Sequence, residues 1–201
     1  LPELIGMFQK GLICTFIFVI YISLLNFNIQ KKVKNLFLKY TLRNKWQEVS
    51  TLANTSAIRS VGLVIDENSF FEKENLIKEL ILNGFSANSI SILVYRDTMD
   101  RKETYLHYTF NSSILDWNAS ISDAVVTNFI QTEFDLLVSY YDIEKVILLL
   151  ITNRSKAKFK VGFSSIDKRL HHLTITTQIG NYSTFVHELF KYLKILNKIE
   201  S

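Results

Sequence analysis

Proline is almost missing from this chain. The one proline is Pro2, so no later helix or strand carries a proline break. Compact turns must then be made by Gly, Asn, Ser and Asp, and glycine is itself sparse, with six in 201 residues. The single cysteine, Cys14, leaves no disulfide framework and no thiolate metal site to build. No P-loop, G-x-G-x-x-G or G-x-S-x-G spacing occurs, which removes the phosphate cradles and the nucleophile elbow that those spacings create. No internal repeat is visible.

Acids are missing from one stretch only. Lys31, Lys32, Lys34, Lys39, Arg43 and Lys45 follow one another without a carboxylate between them. Seven of the 23 bases and one of the 19 acids precede Trp46, which leaves 16 bases against 18 acids in the remainder. The formal charge of +4 therefore belongs to a short segment. A nucleic-acid-binding domain keeps a basic face of its own, so no nucleic-acid partner is expected. What is present is apolar: 48% hydrophobic and 13% aromatic residues can fill a core, and the length suits one domain with an appendage.

The appendage is the N-terminus. Gly11 to Ile29 holds no charged residue over 19 positions, about 28 Å as a helix and close to the roughly 30 Å hydrocarbon core of a bilayer. With the basic cluster directly after it, the positive-inside rule would put the domain on the cytoplasmic side of an inner membrane. The competing expectation, favoured slightly by the first residue being Leu1, is a mis-called start: a native protein that begins near Met7 or after the run and is simply cytoplasmic. Either way residues 1–29 form an apolar segment. Residues 30–49 form a basic amphipathic helix, with Val33, Leu36, Phe37 and Tyr40 at helical spacing. Residues 56–201 form a single domain.

Along that domain, "IRSVGLVID" (Ile58 to Asp66) reads as a strand. A helix opens at Ser69, which has capping-box spacing to Glu72, and it stops at Asn83-Gly84. "SISILVYRD" (Ser89 to Asp97) is a second strand, completing a β-α-β unit. "TYLHYTF" is a short strand and "NSSILDWNAS" a loop, followed by a helix over 122–133. Strands at Phe134 to Tyr140, Phe159 to Phe163 and Leu173 to Thr177 alternate with helices at Asp142 to Thr152 and Tyr182 to Ile199. The last helix carries Phe185, Leu189, Tyr192, Leu193 and Leu196. Continuous rather than alternating apolar strands predict a mostly parallel α/β sheet covered by helices on both faces.

One stretch carries a resemblance. In "FDLLVSYYDIEKVILLLITNRSKAKFKVGF", residues Phe134, Asp135, Leu136, Ser155, Ala157, Lys158, Val161, Gly162 and Phe163 resemble a strand-helix-strand segment of heptosyltransferase-type glycosyltransferases. That resemblance implies a Rossmann-like fold similar to the N-terminal half of those enzymes. Their C-terminal, nucleotide-sugar-binding half has no counterpart here. Where they turn on a Gly-Asp that supplies a catalytic carboxylate, this chain has "VIDENSF", with Asp66 and Glu67 but no glycine. In length and in the phrases "FDLL", "SKAKFKVGF" and "DKRL", the chain is also similar to a set of small Bacteroidota proteins of unknown function.

In open α/β sheets ligands sit beyond the carboxyl ends of the strands. The candidate binding residues are then Asp66, Glu67 and Asn68 after the first strand, Ser139, Tyr140, Tyr141 and Asp142 after the FDLL strand, and Ser164 and Ser165 after Gly162. Asp66 is the one candidate catalytic residue. The competing reading has Asp142 capping a helix and the tyrosines filling the sheet edge. Arg154, Lys156, Lys158, Lys160, Lys168 and Arg169 gather as a basic face. His171 and His172 are neighbours and so point to opposite faces of a strand, which does not make a metal site. No cofactor is expected. The role that fits is a non-catalytic binding module for a protein or small ligand; the alternative is a degenerate or two-chain glycosyltransferase-like enzyme.

Overall fold

The computed structural model describes residues 57–199 other than Arg101, together with four helical positions, Ile29, Lys32, Lys34 and Lys39. The chain falls into two compact units, Leu1–Asn44 and Lys45–Ser201. Most of the apolar run 11–29, most of the basic helix 30–49 and the domain boundary at 56 lie outside the described residues. Among those residues no helix is long and apolar enough to cross a membrane.

The second unit is built on one sheet. Its strands are β1 (Val61–Asp66), β2 (Ile90–Tyr95), β3 (Tyr108–Phe110), β4 (Leu136–Tyr140), β5 (Phe159–Phe163) and β6 (Leu173–Ile175). They lie in the order β3-β2-β1-β4-β5-β6, every neighbouring pair parallel. The helices are α1 (Lys73–Leu82), α2 (Ala124–Gln131), α3 (Val146–Arg154) and α4 (Tyr182–Ile195). This is the α/β, Rossmann-like arrangement expected from the uniformly apolar strands: every residue of β1, β4 and β5 is buried.

Two adjacent residues show how the faces are shared. Ser139 turns its hydroxyl to Thr152 of α3, 3.0 Å away, while Tyr140 sets its ring 5.0 Å from Phe185 of α4. Helix α4 packs with α1 on one face, where Phe85 and Phe190 meet at 4.8 Å. Helix α2 packs with α3 on the other.

Three local expectations change. The capping box at Ser69 does not form. The Asp66 carbonyl accepts from the Ser69 and Phe70 amides, and Phe70 enters the aromatic core 4.6 Å from Tyr140, so α1 begins only at Lys73. Helix α3 starts at Val146 rather than Asp142, because Tyr141 is still buried beneath it with its hydroxyl on Thr152. On α4 the buried stripe is Phe185, Val186, Leu189, Phe190 and Leu193, while Tyr192 and Leu196 are exposed. The stop of α1 is as expected: Gly84 takes φ +123°, and the Gly84 and Phe85 amides donate to Ile81 and Leu80.

Candidate functional site

The strand order reverses direction between β1 and β4, the two central strands, and their carboxyl ends define the crevice of such a sheet. Asp66 ends β1 there and is fully buried. Its Oδ1 accepts from the Asn68 backbone N–H at 3.1 Å and from Asn68 Nδ2 at 2.5 Å. Lys145, the residue before α3, brings Nζ to 2.8 Å from Oδ2, and its hydrogen bond is directed at Oδ1 from 3.2 Å. The same ammonium reaches Asp97 Oδ2 at 3.0 Å and lies over the Tyr95 ring, 4.8 Å from its centre.

The ring of contacts then closes. Tyr95 donates its hydroxyl to Asp97 Oδ1 at 2.8 Å, and the Asp97 amide donates to Asn68 Oδ1 at 3.1 Å. Burial first, and the Asp97 carboxylate next, push the Tyr95 hydroxyl well above its ordinary pKa, so it stays a donor.

Glu67 makes a second knot beside the first. It pairs with Lys73 at the start of α1 and with Arg96, whose Nε lies 2.8 Å from Oε2. Arg96 continues to Glu103 at 2.5 Å and lies over the Tyr105 ring. Four carboxylates, Asp66, Asp97, Glu67 and Glu103, thus face three bases, Lys145, Lys73 and Arg96, and the crevice is polar with charges of both signs. The start of α1 adds Glu72 and Glu74. Carboxylates at a helix N-terminus occupy the place where a phosphate would otherwise be welcome.

The other sequence candidates are placed differently. Asp142 lies near the crevice, with Oδ1 sealed from solvent and without a hydrogen-bond partner among the described residues. Its carbonyl accepts from Ser165 at 3.0 Å. Ser164 is exposed after β5 and accepts from Thr176. Ser139, Tyr140 and Tyr141 are fully buried and do not line the crevice. Ser139 and Tyr141 share Thr152 beneath α3, and Tyr140 gives its hydroxyl to the Ile179 carbonyl at 2.7 Å. Sequence reasoning missed Tyr95, Arg96, Asp97 and Lys145. The one signal available was that 95–97 follows a strand, as Asp66 does.

Of the motif residues, Phe134, Asp135 and Lys158 sit at the opposite end of the sheet, before β4 and β5. Asp135 accepts from the Arg59 and Ser60 amides and the Ser60 hydroxyl, and pairs with Lys158 at 2.8 Å. Phe134 packs against Gly62, where an added Cβ would stand 2.8 Å from its ring. Most of the basic face is likewise engaged: Arg154 donates to the Ala119 carbonyl, Lys160 is buried, and Arg169 pairs with Asp167. No group of three or more His, Cys, Asp or Glu among the described residues is placed to hold a metal ion.

A family model, that of a family of unknown function, matches residues 30–196. No curated protein matches the chain, and no solved structure does.

Proposed function

The chain belongs to that family, DUF6913, and we propose that it works as a non-catalytic binding or interaction module whose ligand-facing surface is the crevice beyond β1, β2 and β4. The observation that carries this reading is the state of Asp66. A general base or nucleophile needs a lone pair within reach of a substrate proton or carbon. The Asp66 carboxylate is instead buried and already engaged by Asn68 and Lys145. What faces outward is the half-exposed Asp97 with Lys145 and Arg96 around it. A small polar molecule, or a protein segment carrying both signs of charge, can exchange with those contacts.

The test is a titration of the ¹⁵N-labelled protein with nucleotide-sugars, sugar phosphates and amino acids. A ligand should shift the amides of 66–68, 96–97 and 142–145 and leave the labelled chain without turnover. Sugar transfer or nucleotide-sugar hydrolysis by the purified protein overturns the reading, as does binding confined to the opposite end of the sheet.

The alternative is a degenerate or two-chain glycosyltransferase-like enzyme. It is favoured by one observation: Asp66 ends the first strand, where the resemblance to heptosyltransferase-type enzymes places a catalytic carboxylate. It requires Lys145 to release Asp66 when a second chain docks. Activity that appears only with that chain and disappears in Asp66→Asn supports it.

For location we propose the cytoplasm, or the inner face of a membrane if the 11–29 run and the basic 31–45 segment anchor the chain. Each Lys or Arg near an anionic surface adds about 1 kcal/mol. Fractionation of cells producing the native protein separates the two.

A further inference from the structure

Beneath α3 the sheet carries a second polar patch that the crevice does not use. Lys160 and Gly162 of β5 face α3 beside Ser139, Gly162 being in register with Ser139. The chain leaves β5, makes a short 3-10 turn at Lys168–Leu170, and returns His171 onto Gly162. The contact is close enough that a Cβ on Gly162 would stand 2.4 Å from Nε2. The imidazole is 6% exposed, and neither ring nitrogen has a hydrogen-bond partner among the described residues.

Buried polar groups are nearly always paired, and an imidazole with two unpartnered nitrogens tolerates only its neutral form. The charges around it reinforce this. From β5 comes Lys160, whose Nζ donates to the Thr152 and Asn153 carbonyls at 2.8 and 3.1 Å. From its own segment come His172 and Asp167, and Asp167 is already bound by Arg169 at 2.6 Å. Helix α3 offers only uncharged residues from Val146 to Asn153. Burial above all, then Lys160 and His172, outweigh Asp167 and hold the imidazole down at about 3.

We propose that His171 is an acid-operated latch: protonation of its ring detaches residues 164–177, with the edge strand β6, from the sheet before the rest of the fold gives way. Opening also withdraws Ile166, Leu170 and Ile175 from the core, but the ladder that holds the segment is short. Strand β6 has three residues and one neighbour, β5. Upstream, Phe163 stays anchored in the core; downstream, the Ile179 carbonyl is held by Tyr140. Once open, the imidazole titrates at its ordinary value near 6.5. Each pH unit below that raises the open population about tenfold, until the closed form also takes the proton. Release uncovers the outer edge of β5.

Hydrogen exchange of the full chain, corrected for the intrinsic pH dependence of exchange, reads the latch directly. Between pH 6.5 and 4.5 the opening of 164–177 should rise about 50-fold, while β1 and β4 keep their protection. In His171→Leu that rise should shrink to what His172 adds, whose Nδ1 accepts the Lys160 amide at 2.9 Å in the closed segment. An imidazole titration of the wild-type protein tests the idea without any variant: His171 should stay neutral down to pH 4.5 while folded. Unchanged protection of 164–177, simultaneous loss across β1 and β4, or a His171 that titrates near 6.5 in the folded state each overturns the proposal.

Discussion

Lys158 Nζ stands 2.8 Å from Asp135 Oδ1 while Oδ2 of the same carboxylate accepts from Arg59 and Ser60, so one side chain ties the approach to β5 and the lead into β1 to the start of β4. The conspicuous phrase "FDLL…SKAKFKVGF" owes its Asp135 and Lys158 to this clamp, at the end of the sheet away from the crevice.

The clamp sets a pH dependence. Burial would raise the Asp135 pKa, but the Lys158 ammonium, the Arg59 and Ser60 amides and the Ser60 hydroxyl outweigh it and hold the group at about 2. A folded value below the ordinary 3.8 stabilises above that ordinary value and is lost as pH falls through about 2. Asp135→Asn should cost about 1–2 kcal/mol at neutral pH in urea unfolding, and about half as much at pH 3. A cost that stays constant across that range would mean the charge is not what matters.

Gly162 is expected to tolerate no side chain. Because a Cβ there meets a buried, rigid ring, Gly162→Ala should lose about 1–3 kcal/mol. In a His171→Ala background most of that penalty should vanish, a coupling that a double-mutant cycle measures. Additive losses would show that His171 is not the obstacle.

Lys160 makes stability rise with pH on the alkaline side. Burial lowers its pKa to about 8 from an ordinary 10.5, so its stabilisation is present above the ordinary value and lost as pH falls through about 8. Above pH 10 the trend reverses, because burial raises the Tyr140 and Tyr141 hydroxyls and their ionisation favours the unfolded chain. Urea midpoints should climb between pH 8 and 9.5 in the wild type and stay flat in Lys160→Met.

Asp66→Asn should lower stability by about 1–3 kcal/mol, less than a fully buried pair would lose, because Lys145 keeps Asp97 as a partner. Thermal unfolding measures it. No change in melting temperature would separate Asp66 from the framework and favour the enzymatic alternative.

The strands were legible because burial on both faces writes them as apolar runs; β5 matches its expected limits, Phe159 to Phe163, end for end. Helix starts were not, since they depend on which carbonyl captures which amide, as Asp66 does for Ser69 and Phe70. The crevice was half legible. Asp66 announces itself at a strand end, but its partner Lys145 lies 79 residues away, and nothing local marks that pairing. Tyr140 and Tyr141 could have been read better: consecutive residues at the end of a strand covered on both faces both go inward, one to each face.

The sheet also tapers. Its inner strands β1, β2, β4 and β5 run five or six residues, while β3 and β6 at the two rims have three each. Many proteins blunt a sheet edge with proline, and this chain has none after Pro2. Shortness takes over that duty: a foreign strand arriving at either rim finds too few free backbone groups to zip onto. The protection is only as good as the rim strands themselves, so conditions that peel β6 away would turn a self-limiting sheet into one with a five-residue template on its border.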